Sequence, residues 1–296
     1  MPGPRLTFDR IGPRDRAALA EAIVSDSEGM LYHLLGQPAD AEEARARIRT
    51  LSPRYRMHLF WLAIAGVRVG PALWGSRRGT RILALDCVRR GADLQALPRA
   101  LARQERGRSL LFHLRPGLEG PLRAAGFREA KSRQWMEAPV HRGKVRLEGT
   151  VVRPSLLDLD DVGRLLCDAY RGTLDGEGKG LRGARAEAKK LMSGGYGRYA
   201  RRLSRAVVRD GRWMGACLLL ETKAPREFLL GHIVVHPDAR GQGLGRALLQ
   251  AAMNDLAAAG IRRVALWVTL GNDAALGLYH ALGFETRCVV QTWTRG

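Results

Sequence analysis

Gly231-His-Ile-Val-Val-His-Pro-Asp-Ala-Arg-Gly-Gln-Gly-Leu-Gly-Arg-Ala-Leu-Leu249 is the stretch from which the rest of the chain can be read. Its apolar, β-branched start predicts a strand, and Pro237-Asp238 a short turn. The glycine-spaced loop then leads into a helix that runs toward Gly260, a stop signal. Gly241, Gly243 and Gly245 alternate at the point where strand gives way to helix. Glycines so placed let the backbone approach a ligand with its N–H groups bare. The first turn of the helix adds free N–H groups, and its dipole favours an anion there. Arg240 and Arg246 bracket the loop. The stretch reads as a pyrophosphate cradle.

Spacing narrows the ligand. A P-loop would need Gly-x4-Gly-Lys-Ser/Thr, and no lysine follows here. A dinucleotide fingerprint needs Gly-x-Gly-x-x-Gly, and the third glycine comes too early. The pattern that fits is Arg/Gln-x-x-Gly-x-Gly, filled by Arg240-Gly-Gln-Gly-Leu-Gly245 behind Val235-His-Pro237. Together with Asn272, Leu278-Tyr279 and Gly283-Phe284, it resembles the GNAT superfamily of N-acetyltransferases over residues 227–286.

The resemblance implies acetyl-CoA as cosubstrate, a primary amine as acceptor, direct attack in a ternary complex and no metal. Backbone groups of Ile233, Val234 and Val235 would pair with the pantetheine arm, as if it were a strand between two splayed ones. Arg240, Gly241, Gln242, Gly243, Leu244, Gly245 and Arg246 would hold the pyrophosphate. Asn272 would bond near the pantetheine end, and Tyr279 would protonate the departing thiolate. Amine attack on a thioester builds charge on oxygen and then expels a thiolate, so backbone donors and a phenol suit the two steps. An ammonium must also lose a proton. Ribosomal-protein N-terminal acetyltransferases carry a glutamate in the strand before the asparagine, where this chain has Trp267. His232 and Glu227 are the remaining candidates for the base, His232 for its unperturbed pKa and Glu227 for its place at the strand's start. His236 reads as a surface residue of the turn, and Glu221, Asp175 and Glu177 as solvated carboxylates.

Composition sets the outer limits. The chain has 296 residues, 46% hydrophobic and 26% charged, which allows two globular domains. The longest apolar run, residues 59–65, cannot span a bilayer, and no secretory h-region opens the sequence, so a cytoplasmic protein is expected. Its 4 cysteines are scattered without a C-x-x-C pair, which argues against zinc and disulfides. The net charge is +20, and six of the 49 basic residues are lysine. An anionic partner (CoA, an acidic peptide or RNA) is one reading. An arginine-rich compositional bias is the other, since no aromatics interleave with the arginines to stack bases.

Taken in order, strands are expected at 5–11, 58–65, 67–74, 81–88, 109–114 and 127–136, with helices at 13–24, 39–51, 98–105 and 118–125. The order then restarts. Arg5-Leu and Pro13 return as Arg146-Leu and Pro154 at an offset of 141 residues, and Gly126-Phe returns as Gly283-Phe at 157. Helices follow at 157–170, capped by Ser155, and at 184–192, with strands at 205–210, 213–221, 227–235, 263–269 and 286–293. The fold class is α/β, a mixed sheet flanked by helices, in two tandem GNAT-like domains at 1–140 and 145–296, with 139–143 as linker. The first copy reads Asp86-Cys-Val-Arg-Arg-Gly-Ala-Asp-Leu94 where a cradle would stand. It also has Leu122 and Arg115 in the places of Tyr279 and Asn272, so it is expected to lack the acetyl-CoA loop. Residues 171–203 are glycine-rich and fall where GNAT proteins place a variable lid, with Gly194–Gly197 as a hinge. Two other classes stay open: an acyl-CoA sensor without turnover, and an RNA- or ribosome-associated factor.

Overall fold

The computed structural model describes residues 6–12, 14–25, 31–32, 38–55, 57–64, 67–77, 80–85, 96–104, 108–112, 118–176, 180–222 and 227–295. They divide into two compact units, Met1–Gln134 with Cys288–Gly296, and Trp135–Arg287. Beside the sequence reading of 1–140 and 145–296, the first unit also takes in Cys288–Gly296. Hydrophobic pattern shows that a segment is a strand but not which neighbour satisfies its backbone, and the last strand of the chain finds its place beside a strand of unit 1.

Unit 1 contains β1 (Leu6–Arg10), α1 (Arg16–Ser25), α2 (Ala41–Tyr55), β2 (Met57–Ile64), β3 (Val67–Arg77), β4 (Thr80–Leu85), α3 (Ala96–Gln104), β5 (Arg108–Phe112), α4 (Glu119–Ala124) and β6 (Arg128–Glu129). Strands β1 to β4 form an antiparallel meander, and β4 pairs β5 in parallel. The last strand of the chain, β14 (Glu285–Arg295), lies antiparallel to β5 through Gln291–Arg295. Leu19, Ala20, Ile23, Leu62, Leu97 and Trp293 are buried in this unit. Leu122, the counterpart of Tyr279, is buried in α4. Residues 86–94 and Arg115 lie outside the described residues.

Unit 2 takes in most of β7 (Arg133–Pro139), then β8 (Thr150–Val152), α5 (Leu159–Tyr170), α6 (Leu181–Met192), β9 (Arg198–Tyr199), β10 (Arg205–Arg209), β11 (Arg212–Glu221), β12 (Glu227–Val235), α7 (Leu244–Ala258), β13 (Arg263–Thr269) and α8 (Asp273–His280). Strands β8, β10, β11 and β12 are antiparallel neighbours, and β12 pairs β13 in parallel. Both units thus repeat one plan: an antiparallel meander followed by one parallel pair. That is the tandem α/β architecture expected.

Strand β11 is central, and its period-two alternation sends side chains into two cores. Ala216, Leu218 and Leu220 pack with Val162, Leu165 and Leu166 of α5 and with Ala184, Ala188 and Leu191 of α6. Cys217 and Leu219 pack with Leu244, Leu248, Leu249 and Ala252 of α7. The spacing of Ala184, Ala188, Leu191 and Met192 is one helical stripe, and it makes α6 a core element. The expected lid at 171–203 is therefore half core. Gly194–Gly197 is the turn into β9, where a Cβ on Gly197 would stand 2.9 Å from the Glu221 carbonyl oxygen. The expected linker is likewise ordered. Asn254 of α7 donates to the Gly143 carbonyl and accepts from its N–H, both at 2.9 Å, and Gln250 donates to the His141 carbonyl. Ser155 caps a short 3-10 turn before α5, with Asp158 returning a 2.8 Å bond to the Ser155 N–H.

Ser204 ties the turn before β10 to the centre of the sheet. Its hydroxyl accepts from the Leu219 N–H at 2.9 Å and donates to the Ala200 carbonyl at 3.0 Å, fully buried. Ser204→Ala strands that N–H, and a loss of about 1–2 kcal/mol in urea unfolding is expected.

Candidate active site

The site begins where two strands part. The β12/β13 ladder pairs Glu227 with Arg263 and ends at Leu230 with Leu266, yet β12 continues to Val235 and β13 to Thr269. The cause is local. Register against β11 puts Leu218 opposite His232 and Leu219 opposite Leu230, so Gly231 is an extra residue, a β-bulge that bends the strand. A Cβ on Gly231 would lie 2.6 Å from Leu191 Cδ1, so α6 covers the bulge closely. Beyond it, backbone polar groups alternate sides. The His236 N–H donates to the Met214 carbonyl on β11 at 2.8 Å. Two residues earlier, the Val234 groups face β11 as well, which turns those of Ile233 and Val235 to the open side of the fork.

The glycine loop follows. His236 caps its first turn, accepting from the Asp238 N–H at 3.2 Å; it is half-buried near Asp168 and Asp238 and is not the surface residue expected. Gly241 and Gly243 both hold φ of +74°, and a Cβ on either would meet nothing within 4 Å. Their glycine identity thus reflects conformation and leaves open space in front of the backbone. Gly243 is the N-cap of α7, which has no side-chain cap bond and no acidic residue in its first turn. Leu244 belongs to the core, and Gly245 packs in the helix against Val235 and Leu278. Two exposed polar side chains of the loop bond to neighbouring groups of the fold. Arg240 donates to the Ala169 carbonyl near the end of α5 at 2.6 Å, and Gln242 bridges Arg209 and the Asp238 carbonyl. Arg246 is exposed.

The opposite wall is the β13–α8 turn. Asn272 is the N-cap of α8, its Oδ1 accepting from the Ala275 N–H at 3.3 Å, while its Nδ2 donates to Asp175 at 3.4 Å. The Thr269 hydroxyl donates to the other Asp175 oxygen at 2.8 Å. Asp175, expected as a solvated carboxylate, instead ties the loop after α5 to this turn. Tyr279 is buried on α8, with its ring 5.6 Å from that of Phe284. Burial first, then the nearby Tyr170, Cys217 and Asp175, push its hydroxyl pKa well above the usual tyrosine range. It stays protonated across neutral pH. Burial also pushes the Cys217 thiol up to about 12, which leaves it no thiolate character.

His232 sits at the base of the fork. Its Nδ1 is 2.8 Å from the Tyr170 hydroxyl at the end of α5, and its Nε2 is 3.6 Å from Glu187 of α6. The Tyr196 hydroxyl donates to the other Glu187 oxygen at 3.0 Å. His232 first, then Tyr196 and Lys190, bring Glu187 down from 4.5 to about 2 against the opposing effect of burial. Tyr170 and Glu187 escaped sequence reasoning. Glu187 stands beside Ala188 on the edge of the buried stripe, a position that spacing marks but to which it assigns no partner.

Glu227 begins β12 at the closed end of the ladder, about five strand residues, roughly 16 Å, from His232. Trp267, where a glutamate was a possible base, packs edge-on to Trp135 with centroids 5.0 Å apart. Glu221 pairs with Arg198. Glu177 lies outside the described residues. No helix among the described residues is long and apolar enough to cross a membrane.

Residues 184–284 match the acetyltransferase (GNAT) family. Over 63 residues the chain is 44% identical to an uncharacterized N-acetyltransferase of Methanocaldococcus jannaschii, covering 21% of this chain and 28% of that protein. Over 51 residues it is 51% identical to the mycothiol acetyltransferase of Kocuria rhizophila, covering 17% of each. Over 59 residues it is 45% identical to the ribosomal protein bS18 alanine N-acetyltransferase of Escherichia coli, covering 20% of this chain and 40% of that one. The matches thus span well under half of these relatives' own lengths. Among solved structures, a GCN5-related N-acetyltransferase from Sphaerobacter thermophilus aligns with TM-score 0.65 at 18% identity, covering 98% of this chain and 95% of that one. A tandem GNAT protein from the clavulanic acid biosynthesis pathway aligns with TM-score 0.54 at 17% identity, covering 98% of both. The segment with the fork, the αL glycines and the Asn272 cap thus lies within the match to the acetyltransferase (GNAT) family, and its fold is that of solved GNAT proteins.

Proposed function

We propose that unit 2 transfers an acetyl group from acetyl-CoA to a primary amine, carried by a small molecule or a peptide, in a ternary complex. The open fork between β12 and β13, leading to the glycine loop at the N-terminus of α7, supports this most directly. Ile233 and Val235 offer backbone groups to an extended pantetheine arm. The N–H groups of residues 243–246 and the open faces of Gly241 and Gly243 suit a pyrophosphate. Arg246 supplies positive charge from the exposed side of the helix, while Arg240 and Gln242 hold the loop's shape. From Val235 to His232 the strand rises about 10 Å, which brings the thioester to the fork.

At the fork the chain's own groups have distinct tasks. Backbone N–H groups of the splayed strand meet the charge that builds on the carbonyl oxygen. Of the two candidate bases we assign the ammonium proton to His232, near the point where the strands part, rather than to Glu227 at the start of β12. Tyr279, protonated throughout the working pH range, donates to the departing sulfur. With Cys217 a neutral thiol, direct attack needs no acyl-enzyme.

Release of free thiol from acetyl-CoA against a panel of amines and peptides tests the reading. Amine-dependent release supports it. Acetyl-CoA binding without release on any acceptor would favour a sensor.

A further inference from the structure

Around the fork, three elements of unit 2 place a phenol, an imidazole and a carboxylate in line. Tyr170 ends α5, His232 follows the Gly231 bulge on β12, and Glu187 lies on α6. The carboxylate lies 3.6 Å from His232 Nε2 and the hydroxyl 2.8 Å from Nδ1. A neutral imidazole carries one proton, and an adjacent carboxylate favours it on Nε2. Nδ1 is then the acceptor, and the Tyr170 hydroxyl donates to it. His232 Nε2 itself is buried, and the His232 side chain is only 14% exposed. The ring therefore has no wide path to solvent and meets the fork through Tyr170. Tyr170 is also among the groups that act on the Tyr279 hydroxyl.

We propose that Tyr170, His232 and Glu187 form a proton relay, in which Tyr170 takes the proton of the acceptor ammonium and Glu187 positions and supports His232 as the final base. This rests on the acyl-transfer reading above. The balance is simple. The ammonium N–H bond breaks and a new O–H bond forms on Tyr170, whose original proton passes to His232 Nδ1. The products are a neutral amine and an imidazolium that donates to Tyr170 through Nδ1 and faces the Glu187 carboxylate through Nε2. No charge is left unpaired in the interior. Once product has left, the Nδ1 proton returns through Tyr170, which restores the starting tautomer, while Glu187, 29% exposed beside Tyr196 and Lys190, continues to face Nε2.

The groups that can set this titration come from every packed element. Tyr170 faces His232 from α5 and Glu187 from α6. Leu218 opposes it on β11 and adds no charge. Tyr196 and Lys190 act on Glu187, and Tyr170 and Asp175 both act on Tyr279.

Two measurements on the full chain test the relay. The first is kcat/KM with an accepted amine, and the second separates kcat from the KM for acetyl-CoA. Glu187→Gln should lower the kcat/KM plateau about tenfold. Glu187→Asp should recover part of that loss, which a merely structural role would not give. Tyr170→Phe should lower kcat by about 100-fold with the acetyl-CoA KM within twofold. An unchanged kcat/KM plateau in Glu187→Gln, or full kcat in Tyr170→Phe, would refute the relay while turnover itself persists. Absence of turnover on every acceptor in the unaltered protein would instead refute the acyl-transfer reading, and the relay with it.

Discussion

Tyr279→Phe is expected to lower kcat for acetyl transfer by about 100-fold while acetyl-CoA affinity stays within twofold. The phenol lies among Tyr170, Cys217 and Asp175, and its ring packs on Phe284. Phenylalanine keeps that packing and removes only the hydroxyl. The size of the loss follows from the chemistry. A positioned general acid contributes about 10²–10⁴. The buried phenol holds its proton tightly, and a thiolate is already a fair leaving group, so the low end applies. The protonated form also persists through neutral pH, so Tyr279 should add no titration to the pH–rate profile below pH 9. Steady-state kinetics of thiol release, with calorimetry on the same variant, separates the two quantities. Weakened binding with unchanged kcat would move Tyr279 from chemistry to packing.

The second large effect concerns the glycine loop. The double variant Gly241→Val, Gly243→Val should weaken acetyl-CoA binding by roughly 30- to 700-fold. Each residue holds φ of +74°, where an L side chain costs about 1–2 kcal/mol, and 1.4 kcal/mol is a factor of ten. The new side chains would also stand in the open space before the backbone. No atom lies within 4 Å of either Cβ, so the strain falls on the loop's own backbone and the core packing is untouched. Gly245→Ala is the internal control. It sits in α7 at ordinary contact distance from Val235 and Leu278, and its affinity should change less than threefold. Calorimetric titration of the three proteins checks both halves of the prediction. Equal losses in the control and the double variant would mean that conformation is not what the glycines supply.

Much of this was legible from residue pattern. The stretch around Gly241–Gly245 announced strand, turn, loop and helix, because φ-permissive residues and β-branched runs have local meanings. The duplication showed in the recurrence of Arg-Leu, Pro and Gly-Phe, and the two sheets repeat one plan. The pairing of β14 with β5 did not show, since its partner lies far away in sequence. The core role of α6 was half visible in the spacing of Ala184, Ala188 and Leu191, yet the abundance of glycine and arginine nearby suggested a lid. Arg240 and Gln242 were read with the loop as pyrophosphate ligands, and the bonds of their side chains to the Ala169 and Asp238 carbonyls are partners that spacing does not name. Tyr170 and Glu187 meet His232 only through tertiary packing of α5 and α6 on β12. No spacing within one segment encodes such a meeting.

Acetyl-CoA binding to the intact chain, measured by isothermal titration calorimetry, tests the central claim most directly. One site per chain is predicted, with a Kd in the range of roughly 1 μM–1 mM usual for enzyme substrates, lost or sharply weakened in the Gly241→Val, Gly243→Val protein. No saturable binding, or binding unaffected by that double substitution, would contradict it.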